Sequence, residues 1–216
     1  MRLLFSSIGQ KVQIALSGIL LIIFLVFHLI NNLVLFTGQE NFNNMVYFLD
    51  SIKPLIRIME CGLLLLLLVH TINAIKLTID NRKLKPKTFG KSAEVTSSLN
   101  SRTMAISGSI ILLFLFMHLG YIWLTFQLHA MTIHETYYDV LLRTNFGYLN
   151  HTPTAIFYII AILSIGFHLK HGFQSALKTF GIINYAMFHY LGFIFWGIIP
   201  MSFIAIVICI QLGVIQ

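Results

Sequence analysis

The stretch ALSGILLIIFLVFHL, residues 15–29, returns ninety residues later as AISGSIILLFLFMHL, residues 105–119. The Ala, the Ser-Gly pair, a Phe-Leu pair and the terminal His-Leu align without a gap. Apolar periodicity would match hydrophobic letters, but not a Ser-Gly pair and a histidine at one fixed separation, so the chain contains an internal repeat. Each copy carries its histidine, His28 or His118, deep in an apolar segment. An ionisable residue left unpaired in hydrocarbon is costly, which makes this pair the first functional residues to consider.

The remaining composition supports a membrane setting. Of 216 residues, 57% are hydrophobic and 10% charged, and several apolar runs are long enough to cross a bilayer. Five spans are expected, at about 12–36, 54–79, 104–128, 154–177 and 185–212, leaving no room for a soluble catalytic domain. The fold class expected is an all-α polytopic bundle in one domain, 1–216, with spans one–two and three–four forming a parallel repeat. The N-terminal stretch is too long for a signal peptide and lacks a small-residue cleavage site, so it is expected to belong to the fold.

The formal charge of +7 is a topological signal more than a nucleic-acid one. With the N-terminus cytoplasmic, Arg2, Lys11, Lys76, Arg82, Lys83, Lys85, Lys87, Lys91, Arg102, Lys170 and Lys178 fall inside or at inner boundaries. Only Lys53, Arg57 and Arg143 fall outside. That asymmetry orients the chain in an inner, cytoplasmic membrane with its C-terminus on the outer side. Cys61 and Cys209 both sit in apolar spans, and no C-x-x-C-H occurs, which excludes covalent c-type haem attachment.

Along the chain, Ser6 and Ser7 are available to cap span one. Residues 37–53 form an outer loop in which Phe42, Met45, Val46 and Leu49 recur at helical spacing, suggesting an amphipathic interfacial turn. Span two carries His70 near its inner end, and Pro54 suits its first turn. The 80–101 segment reads as an inner solvated loop, and about 128–153 as an outer loop with an aromatic belt. Span four ends in GFHLKHGFQSALKTFG, residues 166–181, where Ala161, Ser164, Gly172 and Ser175 line the His168 face. Such a small-residue stripe lets something bulky lie against the helix. Span five, with Trp196 and Pro200, reads as a packing helix.

Under this topology His28 and His118 share a depth toward the outer face, and His70 and His168 share one toward the inner face. At 1.5 Å per residue His28 lies roughly 25 Å beyond Lys11 and His70 roughly 9 Å from Lys76, so the two layers stand on the order of 15 Å apart. Two facing histidines per layer, lined by small residues, suit a b-type haem, whose iron takes one nitrogen from each imidazole. Ligation also removes the burial penalty of an unpaired polar nitrogen, about 1–3 kcal/mol. A lone membrane histidine is as readily a helix–helix hydrogen-bonding residue; four that pair in two layers are not accounted for so simply. Bis-histidine iron has no open position, which favours electron transfer, and two stacked haems would form a wire across the membrane.

HxxHGFQSA around His168, SG-x9-H twice, SSIGQK before span one and GQENFN in the first outer loop resemble the five-helix, di-haem cytochrome b anchor subunit of succinate dehydrogenase/fumarate reductase. The similarity covers essentially all five spans. It implies that a flavoprotein with covalent FAD and an iron–sulfur subunit dock on the inner face. Electrons would then pass between the succinate/fumarate couple and a membrane quinone, menaquinone by family habit. It further implies that His70 and His168 hold the proximal haem b and His28 and His118 the distal one. The chain itself would not convert succinate or fumarate; it would be the electron-transfer and quinone-reactive subunit. The basic loop around Arg82–Lys91 is a docking surface on this reading, or a topological signal alone.

The resemblance places quinone chemistry near the distal haem, where Glu40, close to Asn31, Asn32 and Asn43, is the expected proton acceptor, an ordinary loop glutamate being the plainer alternative. Some family members carry a glutamate two residues before the span-four ligand; this chain has Gly166 there, which puts proton movement through that position in doubt. His171, one turn after His168, is read as a propionate or quinone contact or a surface residue. His129, His134 and His151 are read as solvated loop residues, and His189 as interfacial. Two rival readings stand: the cytochrome b anchor of another respiratory dehydrogenase, such as a formate dehydrogenase or hydrogenase, and a haem-free transporter with a parallel repeat, which would need broken helices and a polar midplane.

Overall fold

The computed structural model describes residues 6–83, 99–128, 135–182 and 185–216, and these form helices with no strand. Helix α1 spans Ser7–Leu33 and passes through a 3₁₀ turn, Val34–Thr37, into α2, Gln39–Ser51. Helix α3 covers Lys53–Lys83 and α4 covers Leu99–His118. A π segment, Leu119–Trp123, joins α4 to α5, Leu124–Leu128. After α6, Tyr137–Leu141, come α7, Thr152–Thr179, and a last span built from α8, Tyr185–Phe193, a π segment, Ile194–Ile198, and α9, Ile199–Gln211.

Five helical stretches are long and apolar enough to cross a membrane: Ser7–Thr37, Lys53–Asp80, Thr103–Leu128, Thr152–Thr179 and His189–Gln211. Their exposed Leu, Ile and Phe side chains need a lipid solvent, so the chain is a multi-pass membrane protein. The five expected spans are thus observed with shifted ends. Burial is uneven among them: a third of the most apolar window of α7 and of the last span is buried, and none of that of α3. Helix α7 therefore runs through the centre, packed on α1, α4 and α9, while α3 lies at the periphery against α1.

Side-chain contacts fix the directions. Ser17 of α1 meets His70 of α3 and Ser107 of α4 meets His168 of α7, while the rings of His70 and His168 adjoin. His28, His118 and Tyr158 come together at a second level. Helices α1 and α4 therefore run parallel, with α3 and α7 antiparallel to them. The two hairpins are related as the sequence repeat requires. One end of the bundle, near Lys11, Lys76 and Lys178, is here called the basic end.

At the opposite, cap end, the expected amphipathic turn is a full helix, α2, and the expected second loop contains α6. Gly38 permits the entry to α2 with φ 97°. Thr136 and Asp139 form a reciprocal capping box for α6. Gln39 Nε2 donates to Thr136 Oγ1 at 3.1 Å, the Tyr138 N–H donates to Asn43 Oδ1 at 3.1 Å, and the Tyr138 hydroxyl donates to the Gln216 carbonyl at 3.2 Å. Burial, with the Asp139 carboxylate adding to it, pushes the Tyr138 hydroxyl above the ordinary phenol value, keeping it a donor. Arg143 forks onto both Glu135 oxygens at 2.7 Å, and that hydrogen bonding raises its pKa further. Leu35, Phe42, Tyr138, Val140, Leu141 and Ile215 are buried beneath this cap.

His151 corrects the loop reading given to it. It is the N-cap of α7, its Nδ1 accepting the Thr154 N–H at 3.4 Å and lying 2.8 Å from Thr154 Oγ1. Ser6 caps α1, accepting the Gly9 N–H at 3.1 Å. His129, His134 and residues 84–91 of the basic loop lie outside the described residues.

Candidate functional site

The sequence singles out four histidines, and the fold assembles them into two pairs. His28 of α1 and His118 of α4 have ring centres 5.8 Å apart with planes at 84°. His70 of α3 and His168 of α7 have ring centres 6.3 Å apart with planes at 64°. All four side chains are half-buried inside the candidate spans. Each pair draws one histidine from each hairpin, so both pairs bridge the two halves of the repeat.

The basic-end pair is bracketed by the duplicated Ser-Gly steps. Ser17 Oγ lies 3.1 Å from His70 Nδ1, and Ser107 Oγ lies 3.3 Å from His168 Nδ1. A Cβ added at Gly18 would stand 3.4 Å from His70 Cε1, and one added at Gly108 would stand 3.6 Å from His168 Cε1. Both glycines thus face the ring edge that leads from Nδ1 round to Nε2, at a distance where an added methyl would make ordinary van der Waals contact. One turn from Ser17 toward the basic end, Asn73 Nδ2 donates to Gln13 Oε1 at 2.8 Å and ties α3 to α1 again.

The cap-end pair has aromatic walls. Phe24 stacks on His28 at 5.4 Å and Phe203 of α9 lies 5.7 Å from the same ring. Phe114 stacks on His118 at 5.4 Å, and the Tyr158 hydroxyl lies 3.2 Å from His118 Nδ1. Asn32 serves the backbone here: its Nδ2 donates to the His28 carbonyl at 2.7 Å.

A metal bridging two imidazoles through bonds of about 2 Å, each added to ~1 Å from ring nitrogen to ring centre, holds the ring centres ~6 Å apart. Both pairs fit that value. Among the described residues no group of three or more His, Cys, Asp or Glu gathers that could hold a metal ion. Each layer therefore offers two protein nitrogens and no further protein ligand set.

Two functional candidates escape a reading of the sequence alone. Tyr158 stands ten residues before His168, and Glu60 stands ten residues before His70. Glu60 is a carboxylate within a candidate span. It accepts from Arg57 Nη1 at 2.5 Å, from Trp123 Nε1 at 2.8 Å and from Gln127 Nε2 at 3.3 Å, and Arg57 also donates to Gln127 Oε1. Aligning the two second helices on His70 and His168 would have placed Glu60 and Tyr158 at one offset and drawn attention to both. Glu40 is exposed in the first turn of α2, and the nearby Asn43 is engaged by Tyr138. His171 is half-buried one turn beyond His168, and its neighbour Lys170 places Nζ 4.7 Å from the centre of the Trp196 ring. His189 is exposed beside Tyr190. Cys61 and Cys209 are free thiols.

Gly166 is occupied by packing. A Cβ there would come 3.1 Å from the Trp196 carbonyl oxygen in the last span's π segment and 3.6 Å from Pro200 Cγ. Compared with known proteins, the chain matches no family model, no curated protein and no solved structure.

Proposed function

We propose that the chain is a membrane cytochrome b that holds two b-type haems, one between His28 and His118 and one between His70 and His168. The observation that carries this reading is the pairing itself: two imidazole pairs at metal-bridging separation, each joining the two hairpins. The donor count supports haem over a bare ion. Zinc takes four ligands, whereas haem iron brings its equatorial ligands with it and asks only axial ones of the protein. A haem held there by the two imidazoles of a layer would supply one-electron transfer. His28 lies eleven residues beyond Ser17, the residue that touches His70, so the layers are separated by about 16 Å along α1. Phe24, Phe114 and Phe203 give the cap-end layer apolar aromatic walls.

The resemblance extends the reading to a complex. The chain anchors a flavoprotein and an iron–sulfur subunit of succinate dehydrogenase/fumarate reductase type at the basic end, and exchanges electrons with a quinone, menaquinone by that resemblance, toward the cap end. It lies in the cytoplasmic membrane with its N-terminus inside and C-terminus outside, as its lysines and arginines are distributed. Glu40 and the intramembrane Glu60 are the cap-end carboxylates to test for the proton that accompanies quinone chemistry.

Reduced-minus-oxidised spectra with pyridine-haem quantification on detergent-purified protein test the core of this. Two b-haems per chain are expected, with each of His28→Ala, His70→Ala, His118→Ala and His168→Ala disturbing one. Folded wild-type protein without haem overturns the reading. Reduction by succinate of the complex purified from native membranes tests the partners; reduction by formate or hydrogen instead assigns the chain to another respiratory dehydrogenase.

A further inference from the structure

We propose that Ser17 and Ser107 are positioning residues that hold His70 and His168 in the Nδ1–H tautomer and so present Nε2 to the metal of the basic-end layer. The inference rests on the haem reading above and adds to it which protein atoms set the electronic character of one layer and not the other.

The direction of the two hydrogen bonds follows from proton count. A serine hydroxyl has one proton. Ser17 Oγ directs it at backbone carbonyls, Gln13 at 2.6 Å and Ile14 at 3.2 Å. Ser107 Oγ likewise donates to the Met104 carbonyl at 3.2 Å. With that proton on a carbonyl, the serine oxygen meets the imidazoles at 3.1 and 3.3 Å as acceptor and Nδ1 is the donor, and His70 also hydrogen-bonds the Ile14 backbone. A neutral imidazole that donates from Nδ1 carries its lone pair on Nε2, the form a metal requires. A serine whose proton lies on a carbonyl is also a better acceptor, and a firmer Nδ1–H bond makes Nε2 a more basic ligand.

The repeat explains why this happens twice. Each first helix brings its Ser-Gly step against the second helix of its own hairpin, so duplicating α1 duplicated the acceptor with it. Ser17 and Ser107 are themselves buried, which keeps water from competing for Nδ1. At the cap end the supporting groups do not repeat. The Tyr158 hydroxyl meets His118 Nδ1, and His28 is walled by rings.

A more basic ligand favours oxidised iron, so removing either serine moves the basic-end layer to higher potential. The test is a spectroelectrochemical titration of the intact purified complex as wild type, Ser17→Ala, Ser107→Ala, the double substitution and Ser17→Thr. The basic-end component is identified by its loss in His70→Ala. Expected is an upward shift of that component in each alanine variant, a larger one in the double, recovery in Ser17→Thr, and an unmoved cap-end component. Its persistence in the same spectrum reports that the variant is folded. Unmoved potentials with both haems present overturn the proposal while leaving the haem reading intact, as does an equal shift of both components. Absence of haem from folded wild type removes the haem reading itself.

Discussion

At the basic end His70 and His168 each rest on a serine supplied by the repeat, at 3.1 and 3.3 Å; at the cap end His118 meets Tyr158 at 3.2 Å while His28 lies between Phe24 and Phe203. The same duplicated helices build both layers. They are symmetric where the supporting group lies on the repeated first helices, and asymmetric where it comes from the second helices or the last span. At the matching offset, one hairpin carries Tyr158 and the other Glu60. Tyr158 turns to the histidine, whereas Glu60 turns to Arg57, Trp123 and Gln127. The π segment after His118 has no counterpart after His28 among the described residues, and Trp123 at its end and Gln127 just beyond it meet Glu60 of α3.

The largest break in this comparison is removal of an imidazole. His118→Ala is expected to abolish the cap-end component of the spectrum and leave the basic-end one, with haem content falling from two to one per chain. Next is Gly166→Leu. Its added side chain has nowhere to go against the Trp196 carbonyl, and overpacking of this kind costs about 1–3 kcal/mol. A lowered thermal transition in detergent, with both components affected because α7 serves both layers, is the expected outcome. Tyr158→Phe sharpens the contrast further: losing one hydrogen bond costs about 1 kcal/mol, and only the cap-end component should shift. Glu60→Gln breaks a partly buried pair with Arg57, whose side-chain exposures are 25% and 38%. The loss is expected at about 1 kcal/mol or less, read as a small drop in the thermal transition with the potentials of both layers unmoved. If either potential moves instead, Glu60 is coupled to the proposed haem layers and its resemblance in position to Tyr158 is functional. Least felt by the two layers is Thr136→Ala, which removes the α6 cap at about 1 kcal/mol. Being remote from the spans, it should raise amide exchange in α6 and change neither spectrum.

Much of the architecture was legible because a membrane helix announces itself by length and composition, and a repeat by shared polar letters. The four histidines paired as their depths required. What stayed hidden depends on rotation about helix axes, which a sequence carries only weakly. Ser17 stands eleven residues before His28, close to three helical turns and so on the same face of its helix, yet its contact is His70, one layer away. Tyr158 and Glu60 sit among apolar letters in helices whose first members, not they, show the repeat. The π segments at 119–123 and 194–198 have no sequence signal beyond a glycine and a nearby proline, and the α6 capping box lay in a stretch that looked like loop.

Helix α3 supplies one histidine of the basic-end pair yet buries none of its most apolar window. In lipid no solvent drives such a helix inward. Its polar points of attachment include Asn73 on Gln13, His70 on Ser17, Arg57 on Gln127, and Glu60 on Trp123 and Gln127. Membrane hydrogen bonds of that kind average about 0.6 kcal/mol each, a modest hold for a helix of this length. Any group that grips His70 and His168 together would therefore act as a clasp, fastening the outermost helix to the central one and making assembly of the bundle depend on cofactor supply.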